Sequence, residues 1–219
     1  RTCRYARGSR GTCISVLHRR ESRRTMSPSQ GYYAHPTAIV ESQDIGEGTK
    51  IWHFAHIRCG AKIGDSCNIG KSVYIDIGAE IGNNVKIQNF VSVYKGVAIE
   101  DDVFVGPSAT FTNDLYPRAF VWNEERVSAT RICRGASIGA NATIVCGITV
   151  GEYAMIGAGS VVAEDVPPFG LVLGNPGRLR GYVCRCGRKL EEEGRLESGR
   201  SIYRCRACGK QVEINPCVS

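Results

Sequence analysis

The sequence predicts an all-β chain wound as a parallel β-solenoid, followed by a small module held by cysteines. Three observations carry this. An aliphatic or aromatic residue recurs at every sixth position from Ile39 to Phe111, with no polar residue in the run, and again from Ile132 to Val162. A second apolar or small residue usually follows four places later, as at Ala55, Ala61, Val73, Val85, Ala136 and Ala154. Glycine often comes directly after the aliphatic residue, as at Gly46, Gly64, Gly70, Gly82, Gly106 and Gly139. A helix has a period near 3.6 and an ordinary strand a period of 2, whereas six fits a short strand plus a tight turn. Glycine is expected to take the backbone angles of that turn. Three hexads then close a triangular coil of 18 residues, and coils stack at the strand spacing of about 4.8 Å.

The first element in chain order is a basic leader. Residues 1–25 hold eight Arg and one acid, and so contain the whole formal charge of +7; the remaining chain has 20 basic and 20 acidic residues. A basic body able to bind nucleic acid is thereby excluded. With little hydrophobic periodicity the leader is expected to be disordered. It reads as a transit peptide, as a binder of an acidic partner, or, the preferred reading, as upstream sequence translated from a misplaced start, with Met26 opening the native-looking MSPSQGYYAHP. Residues 26–38 lead into a solenoid expected over 39–180. The composition, 42% hydrophobic and 22% charged, is that of a soluble globular protein. No apolar run approaches the roughly 18 residues of a membrane helix.

Stacking makes residues 18 apart neighbours. His53, Lys71 and Asn89 form one outward column, and His56, Tyr74, Ser92 and Thr110 a second. In KIQNFVSVYKGV the glycine rule fails, and Gln88 and Asn89 follow Ile87. Any one of these side chains alone is most simply a solvated wall residue. A column of His, Lys and Asn beside the broken rule marks a site. The hexads stop again over 112–131, TNDLYPRAFVWNEERVSATR, where Asn113, Asp114, Tyr116, Arg118 and Trp122 mix hydrogen-bonding, charged and stacking groups. Loops on a rigid scaffold concentrate binding residues, and this one reads as a lid or an arm reaching a neighbouring subunit.

The hexad pattern over 39–166 resembles the hexapeptide-repeat acyltransferases, whose prism is a left-handed β-helix. KIQNxVSVY, GPSxxFTN and the following Pro117-Arg118 narrow this to the N-acetyltransferases of 3-amino nucleotide sugars, in particular those acting on UDP-2-acetamido-3-amino-2,3-dideoxyglucuronate for surface polysaccharides. The resemblance covers about residues 35–181. It implies a cytoplasmic homotrimer, acetyl-CoA in a groove between neighbouring prisms, and direct attack of the sugar amine on the thioester. An amide side chain suits that chemistry, since it donates and accepts without ionising. Asn89 is therefore read as the residue holding the reacting amine, with Gln88 shaping the corner. Family members are thought to use the departing CoA sulfur as the proton acceptor. His53 is the residue best able to act as a base if one exists, but it lies two coils from Asn89, about 10 Å by strand spacing. Carried over on the same resemblance, Lys71, Tyr94, Thr112, Asn113 and Arg118 meet the nucleotide sugar, Arg118 matching an anion. Ala140, Gly157 and Ala158 offer small residues to the pantetheine arm. Arg178 and Arg180, in LGNPGRLRG, are the candidates for the CoA phosphates.

Residues 181–219 lie outside that pattern. Cys184-x-Cys186-Gly187 and Cys205-x-x-Cys208-Gly209 form two knuckles 18 residues apart, resembling a zinc ribbon. Four thiolates close a tetrahedral structural Zn²⁺ site and leave no position for catalysis. The competing reading as disulfides is opposed by Cys59, Cys67, Cys133 and Cys146, which fall at or near repeat positions as small core or wall residues and suit a reducing cytosol. Three rivals to the sugar reading remain. A zinc-dependent carbonic anhydrase on this fold needs three His ligands from neighbouring prism faces, and the body offers only His35, His53 and His56, with His35 expected ahead of the β-helix. An acyltransferase for another amine or hydroxyl would normally place a His where the amide pair stands. A non-catalytic scaffold with a docking ribbon would fail to bind acetyl-CoA.

Overall fold

Each hexad folds as a two-residue strand, one side chain out and one in, followed by a turn. The computed structural model describes residues 31–121 and 123–214; the readings of the leader 1–25, of Met26 and of Trp122 lie outside the described residues. Tyr33–Ala34, Lys50–Ile51, Asn68–Ile69, Lys86–Ile87, Phe104–Val105, Ser137–Ile138, Met155–Ile156 and Gly170–Leu173 stack in parallel as a first face, which Arg178–Tyr182 closes in antiparallel fashion. The second face runs from Ile39–Val40 through His56–Ile57, Tyr74–Ile75, Ser92–Val93, Thr110–Phe111 and Thr143–Ile144 to Val161–Val162. Lys62–Ile63, Glu80–Ile81, Val97–Ile99, Thr130–Ile132 and Thr149–Val150 make the third. Tyr74 pairs with His56 on one side and Ser92 on the other, and Ser92 with Thr110, so the second expected column is present. The fold is an all-β solenoid. Its axis is filled by the inward residues: Ile51, Ile57, Ile69, Ile75, Ile87 and Ile138 are 0% exposed. Each contributes roughly 1.5–3 kcal/mol by leaving water.

Four features differ from the sequence expectation. The prism begins at Tyr33–Ala34, paired with Lys50–Ile51, so His35 is part of the first coil and not of a lead-in. In that coil the register slips by one. Ile39 pairs with His56 and Val40 with Ile57, so Val40 points inward and Ile39 is 57% exposed. The last coil is shorter than 18 residues, since Val166 bridges to Val150 and Val172 pairs with Ile156.

The glycine after the aliphatic residue is also not the turn-maker. Positive φ falls two residues later, on Phe54 (58°), Ser66 (56°), Asn84 (54°) and Phe90 (62°) as well as on Gly60 (77°). The earlier glycine is needed because the next coil lies on top of it. A Cβ on Gly139 would stand 2.4 Å from the backbone N of Ala158, and one on Gly64 2.5 Å from Asn83 Oδ1. No L side chain fits that spacing.

The interruption leaves the second face after Phe111 and rejoins the third at Thr130, where Val97 pairs with Thr130. Above it Phe111 pairs with Ile144, so the coils close over the insertion without a gap. The inserted residues fold as an ordered arm. Asp114 bridges Val127 and Arg118 bridges Val121 in antiparallel fashion. Arg126 grips the Asp114 carboxylate at 2.8 and 3.3 Å and also donates to the Tyr116 carbonyl; Lys95 pairs with Glu124. The tip leaves Tyr116 74% and Phe120 86% exposed.

The Arg126 guanidinium, more than offsetting partial burial, holds the Asp114 carboxyl below its ordinary value of 3.8. Because the folded value is lowered, the stabilisation is present above the ordinary value and is lost as pH falls from there through the depressed one. We therefore expect Asp114→Asn to expose the arm to limited proteolysis within 115–125 several-fold faster at neutral pH, with the coils intact. Wild-type protein should show the same sensitivity only in acid.

Candidate functional site

The corner between the first and second faces carries the first expected column. The backbone N–H groups of Ser72, Phe90, Ser108, Asn141 and Gly159 donate to the carbonyls of His53, Lys71, Asn89, Pro107 and Ala140 at 2.8–3.0 Å. One edge thus runs from His35 through His53, Lys71, Asn89, Pro107 and Ala140 to Ala158. His35 and His53 stack with ring centroids 3.5 Å apart. Trp52, His53, Asn68, Gly70, Lys71, Gln88 and Asn89 line a shallow groove there, and Trp52 Nε1 donates to Asn68 Oδ1 at 2.7 Å. The Lys71 ammonium lies 5.6 Å from the Phe90 ring centroid.

Asn89 has two ends with different tasks. Its Oδ1 accepts the Lys71 backbone N–H at 2.8 Å. Asp65, Asn83 and Asp101 make the same bond one coil down, to Glu47, Asp65 and Asn83 at 2.7–2.8 Å, on the corner between the third and first faces. Half of the Asn89 amide is therefore a staple between coils. Its Nδ2 has no hydrogen-bond partner among the described residues.

The other sequence candidates fall in two places. Ala140, Gly157 and Ala158 continue the edge above Asn89, and the turn 174–177 sits at its head, tied by Gly177 N–H to the Val161 carbonyl (2.7 Å) and Gly174 N–H to Ser160 Oγ (3.0 Å). Arg178 and Arg180 lie exposed on the closing strand, Arg178 being 3.7 Å from Glu164. Tyr94, Thr112 and Asn113 stand one hexad further on, at the opposite edge of the second face, with Arg118 on the arm. Thr112 Oγ1 there accepts the Cys146 N–H at 2.9 Å, and the Asn113 carbonyl accepts the Ser128 N–H at 3.0 Å. Within one chain these residues do not meet His53 and Asn89. The candidates therefore fall into two groups, on opposite edges of the second face.

Running across the second face to the edge that carries Tyr94 and Thr112 is a network that sequence reading missed. Glu41 binds His56 at 3.1 Å and Arg58 at 3.2 Å. Arg58 donates to the Tyr74 hydroxyl at 3.2 Å, which donates to Asp76 at 2.9 Å. The Glu41 carboxyl is held below its ordinary value, by His56 first and then by the Cys59 N–H. The available signal was the 18-residue column Arg58, Asp76, Tyr94, Thr112, in which opposite charges sit on adjacent coils.

At the far end the four cysteines converge. Cys184 and Cys208 Sγ are 3.5 Å apart, as are those of Cys186 and Cys205, and all four lie within 4.8 Å of one another. A tetrahedral Zn–S shell at about 2.3 Å requires S···S near 3.8 Å, which this spacing approaches. Gly187 and Gly209, at φ 82° and 73°, return their N–H groups to the Cys184 and Cys205 carbonyls at 2.8 Å. Burial pushes the Cys184 thiol up to about 11, whereas the Cys208 backbone N–H brings Cys205 down to about 7. The knuckles carry Arg185, Arg188, Lys189, Arg206 and Lys210 and no acid, a setting that suits the net negative charge of a metal tetrathiolate. A three-stranded antiparallel sheet of Glu191–Arg195, Ser201–Arg204 and Gln211–Ile214 completes the module.

The family described as bacterial transferase hexapeptide (six repeats) matches residues 44–76, 78–113 and 129–164; the break between the last two stretches is the arm. The dTDP-3-amino-3,6-dideoxy-alpha-D-galactopyranose 3-N-acetyltransferase of Aneurinibacillus thermoaerophilus is 50% identical over 165 residues, 75% of this chain and 85% of its own. The bifunctional protein GlmU of Thermotoga maritima is 34% identical over 205 residues, 72% of this chain and 44% of its own. Among solved structures, a hexapeptide-repeat-containing acetyltransferase of Vibrio cholerae O1 biovar eltor, complexed with acetyl coenzyme A, superposes with a TM-score of 0.49 at 26% identity, over 56% of this chain and 70% of that one. With the repeat matched along the prism and 50% identity to an acetyltransferase over three quarters of this chain, the chain belongs to the hexapeptide-repeat acetyltransferases.

Proposed function

We propose that the protein transfers the acetyl group of acetyl-CoA to the 3-amino group of a nucleotide-linked sugar, as a cytoplasmic homotrimer of left-handed prisms. The observation that carries this is the single edge on which His53, Asn89, Ala140 and Ala158 fall in line, in a chain half identical to a nucleotide-sugar N-acetyltransferase. The two groups on opposite edges of the second face support a site between subunits: Asn89 of one prism faces Tyr94, Thr112, Asn113 and Arg118 of the next. The exposed Tyr116 and Phe120 at the arm tip give that contact its apolar surface.

Acetyl-CoA lies along the edge, its pantetheine arm against Ala140, Gly157 and Ala158 and its phosphates toward Arg178 and Arg180. The neutral amine attacks the thioester carbonyl carbon, and Asn89 Nδ2–H donates to the oxygen that becomes negative. The carbon–sulfur bond breaks, and the amine proton passes to the departing CoA sulfur. His53, two coils below Asn89, contacts the sugar or takes that proton first. Gln88 and Lys71 complete the pocket wall. Cys184, Cys186, Cys205 and Cys208 hold a structural Zn²⁺, which supplies folding energy and no chemistry.

Two acceptors are favoured by separate observations: UDP-2-acetamido-3-amino-2,3-dideoxyglucuronate by the KIQNxVSVY and GPSxxFTN motifs, and dTDP-3-amino-3,6-dideoxygalactose by the half-identical relative. Both go into one assay with acetyl-CoA, read by mass spectrometry of the sugar nucleotide and by release of free CoA thiol. Acetylation of either one establishes the reaction and names the acceptor. Acetyl-CoA binding with no product from either sugar overturns the sugar assignment, and absence of acetyl-CoA binding overturns the placement of the site.

A further inference from the structure

A solenoid needs a cap, because its last coil has no neighbour to cover it. Here the final strand of the first face, Gly170–Leu173, is covered by Arg178–Tyr182, with Gly170 opposite Tyr182 and Val172 opposite Leu179. Tyr182 also belongs to the buried cluster of the cysteine module, beside Cys184, Leu190, Cys205 and Ile214, and Phe169 of the prism packs against that cluster. The Phe169 carbonyl accepts the Val183 N–H at 2.7 Å. Its ring stacks on Tyr153 of the coil below at 5.5 Å and 15°. Arg185, between two of the cysteines, places its guanidinium 4.5 Å from the Tyr153 ring centroid. The first knuckle is thereby fastened to two successive coils by a cation–aromatic–aromatic stack.

We infer that the four-cysteine module is the end cap of the β-helix, and that zinc loading, acting through the Arg185–Tyr153–Phe169 stack, sets the stability of the last coil and of the 174–177 turn at the head of the acetyl-CoA edge. The inference rests on the zinc and acetyl-CoA placements proposed above. The module's own cluster holds five buried residues, two of them cysteine, too little apolar surface to fold without a cross-link. A structural zinc supplies folding free energy outright in such modules. That free energy becomes available to whatever the first knuckle grips, here Tyr153 and Phe169. Loss of the metal releases the grip, and the closing strand 178–182, which shares Tyr182 with the module, loosens with it.

The test uses the full-length protein as purified, the same protein after chelation, and the variants Cys208→Ser and Arg185→Ala. Metal analysis should give about one zinc per chain; iron, or no metal, overturns the inference at its first step. On chelation, and in Cys208→Ser, hydrogen exchange over 169–182 should speed up about tenfold or more while the coils around 51–93 stay protected. Arg185→Ala should keep its zinc and the protection of 190–214, yet exchange faster at 169–173. An unchanged 169–182 segment, with 183–214 opened by chelation, would show an appendage and overturn the cap. Acetyl-CoA binding to the zinc-loaded wild type is the control for the cofactor placement. Given that binding, its Kd should rise several-fold on chelation; an unchanged Kd overturns the link between cap and edge.

Discussion

Asn89→Ala is expected to lower kcat about 10²- to 10³-fold, as loss of one oxyanion donor does in other acyl transfers, with acetyl-CoA still bound. The informative partner is Asn89→Asp. Asp65 and Asp101 show that a carboxylate makes the same bond to the coil below, to the backbone N–H of Glu47 and Asn83 at 2.7 Å. Aspartate at 89 therefore keeps the staple to Lys71 and replaces only the outward donor with an acceptor. If Nδ2–H stabilises the oxyanion, the Asp variant is as slow as the Ala variant while melting like wild type. Recovery of wild-type rate in Asn89→Asp would reduce Asn89 to a staple and move the catalytic assignment elsewhere on the edge. The two variants together separate a structural amide from a chemical one, which Asn89→Ala alone does not.

Gly139→Ala is expected to be among the most damaging single methyls in the prism. The added Cβ meets backbone, 2.4 Å from Ala158 N and 2.6 Å from Gly157 C, so the coils must separate. Overpacking of that kind costs about 3 kcal/mol or more, a fall of roughly 10 °C in Tm for a chain of this size. Gly60→Ala makes the control. Gly60 has φ 77° but nothing within 4 Å of the built Cβ, and its loss costs about 1 kcal/mol of backbone strain. If Gly60→Ala melts lower than Gly139→Ala, positive φ at the turn constrains the prism more than the close approach of the coils at Gly139 does. Gly139 also precedes Ala140 on the proposed cofactor edge, so partly folded Gly139→Ala should lose acetyl-CoA affinity, and Gly60→Ala should not.

The repeat made much of this legible. In a solenoid each residue meets chiefly those one coil away, so a separation of 18 in the sequence is a contact in space. The column His53, Lys71, Asn89 and the column His56, Tyr74, Ser92, Thr110 could be written down before any fold was known, and the registers bear them out. The knuckle spacing likewise announced four converging cysteines, and their sulfurs converge. The prism's start was less visible: Tyr33–Ala34 is a strand without the hexad's aliphatic residue. Beside it, Ile39 and Val40 are both aliphatic, so composition could not say which one points inward.

By itself, then, the sequence determined the period, the coil length, the inward residues of most coils, the arm's position and the convergence of four cysteines. Each of these depends on residue type at a fixed spacing. Tertiary structure alone decided the rest. Which end of the Asn89 amide is spent on Lys71, why Gly139 admits no methyl, and how Arg185 reaches Tyr153 and Phe169 all depend on distances between atoms of different coils or modules. The separation of Asn89 from Tyr94 and Thr112 follows from the same geometry, because the five residues from Asn89 to Tyr94 already cross the second face, and Thr112 stands one coil above Tyr94.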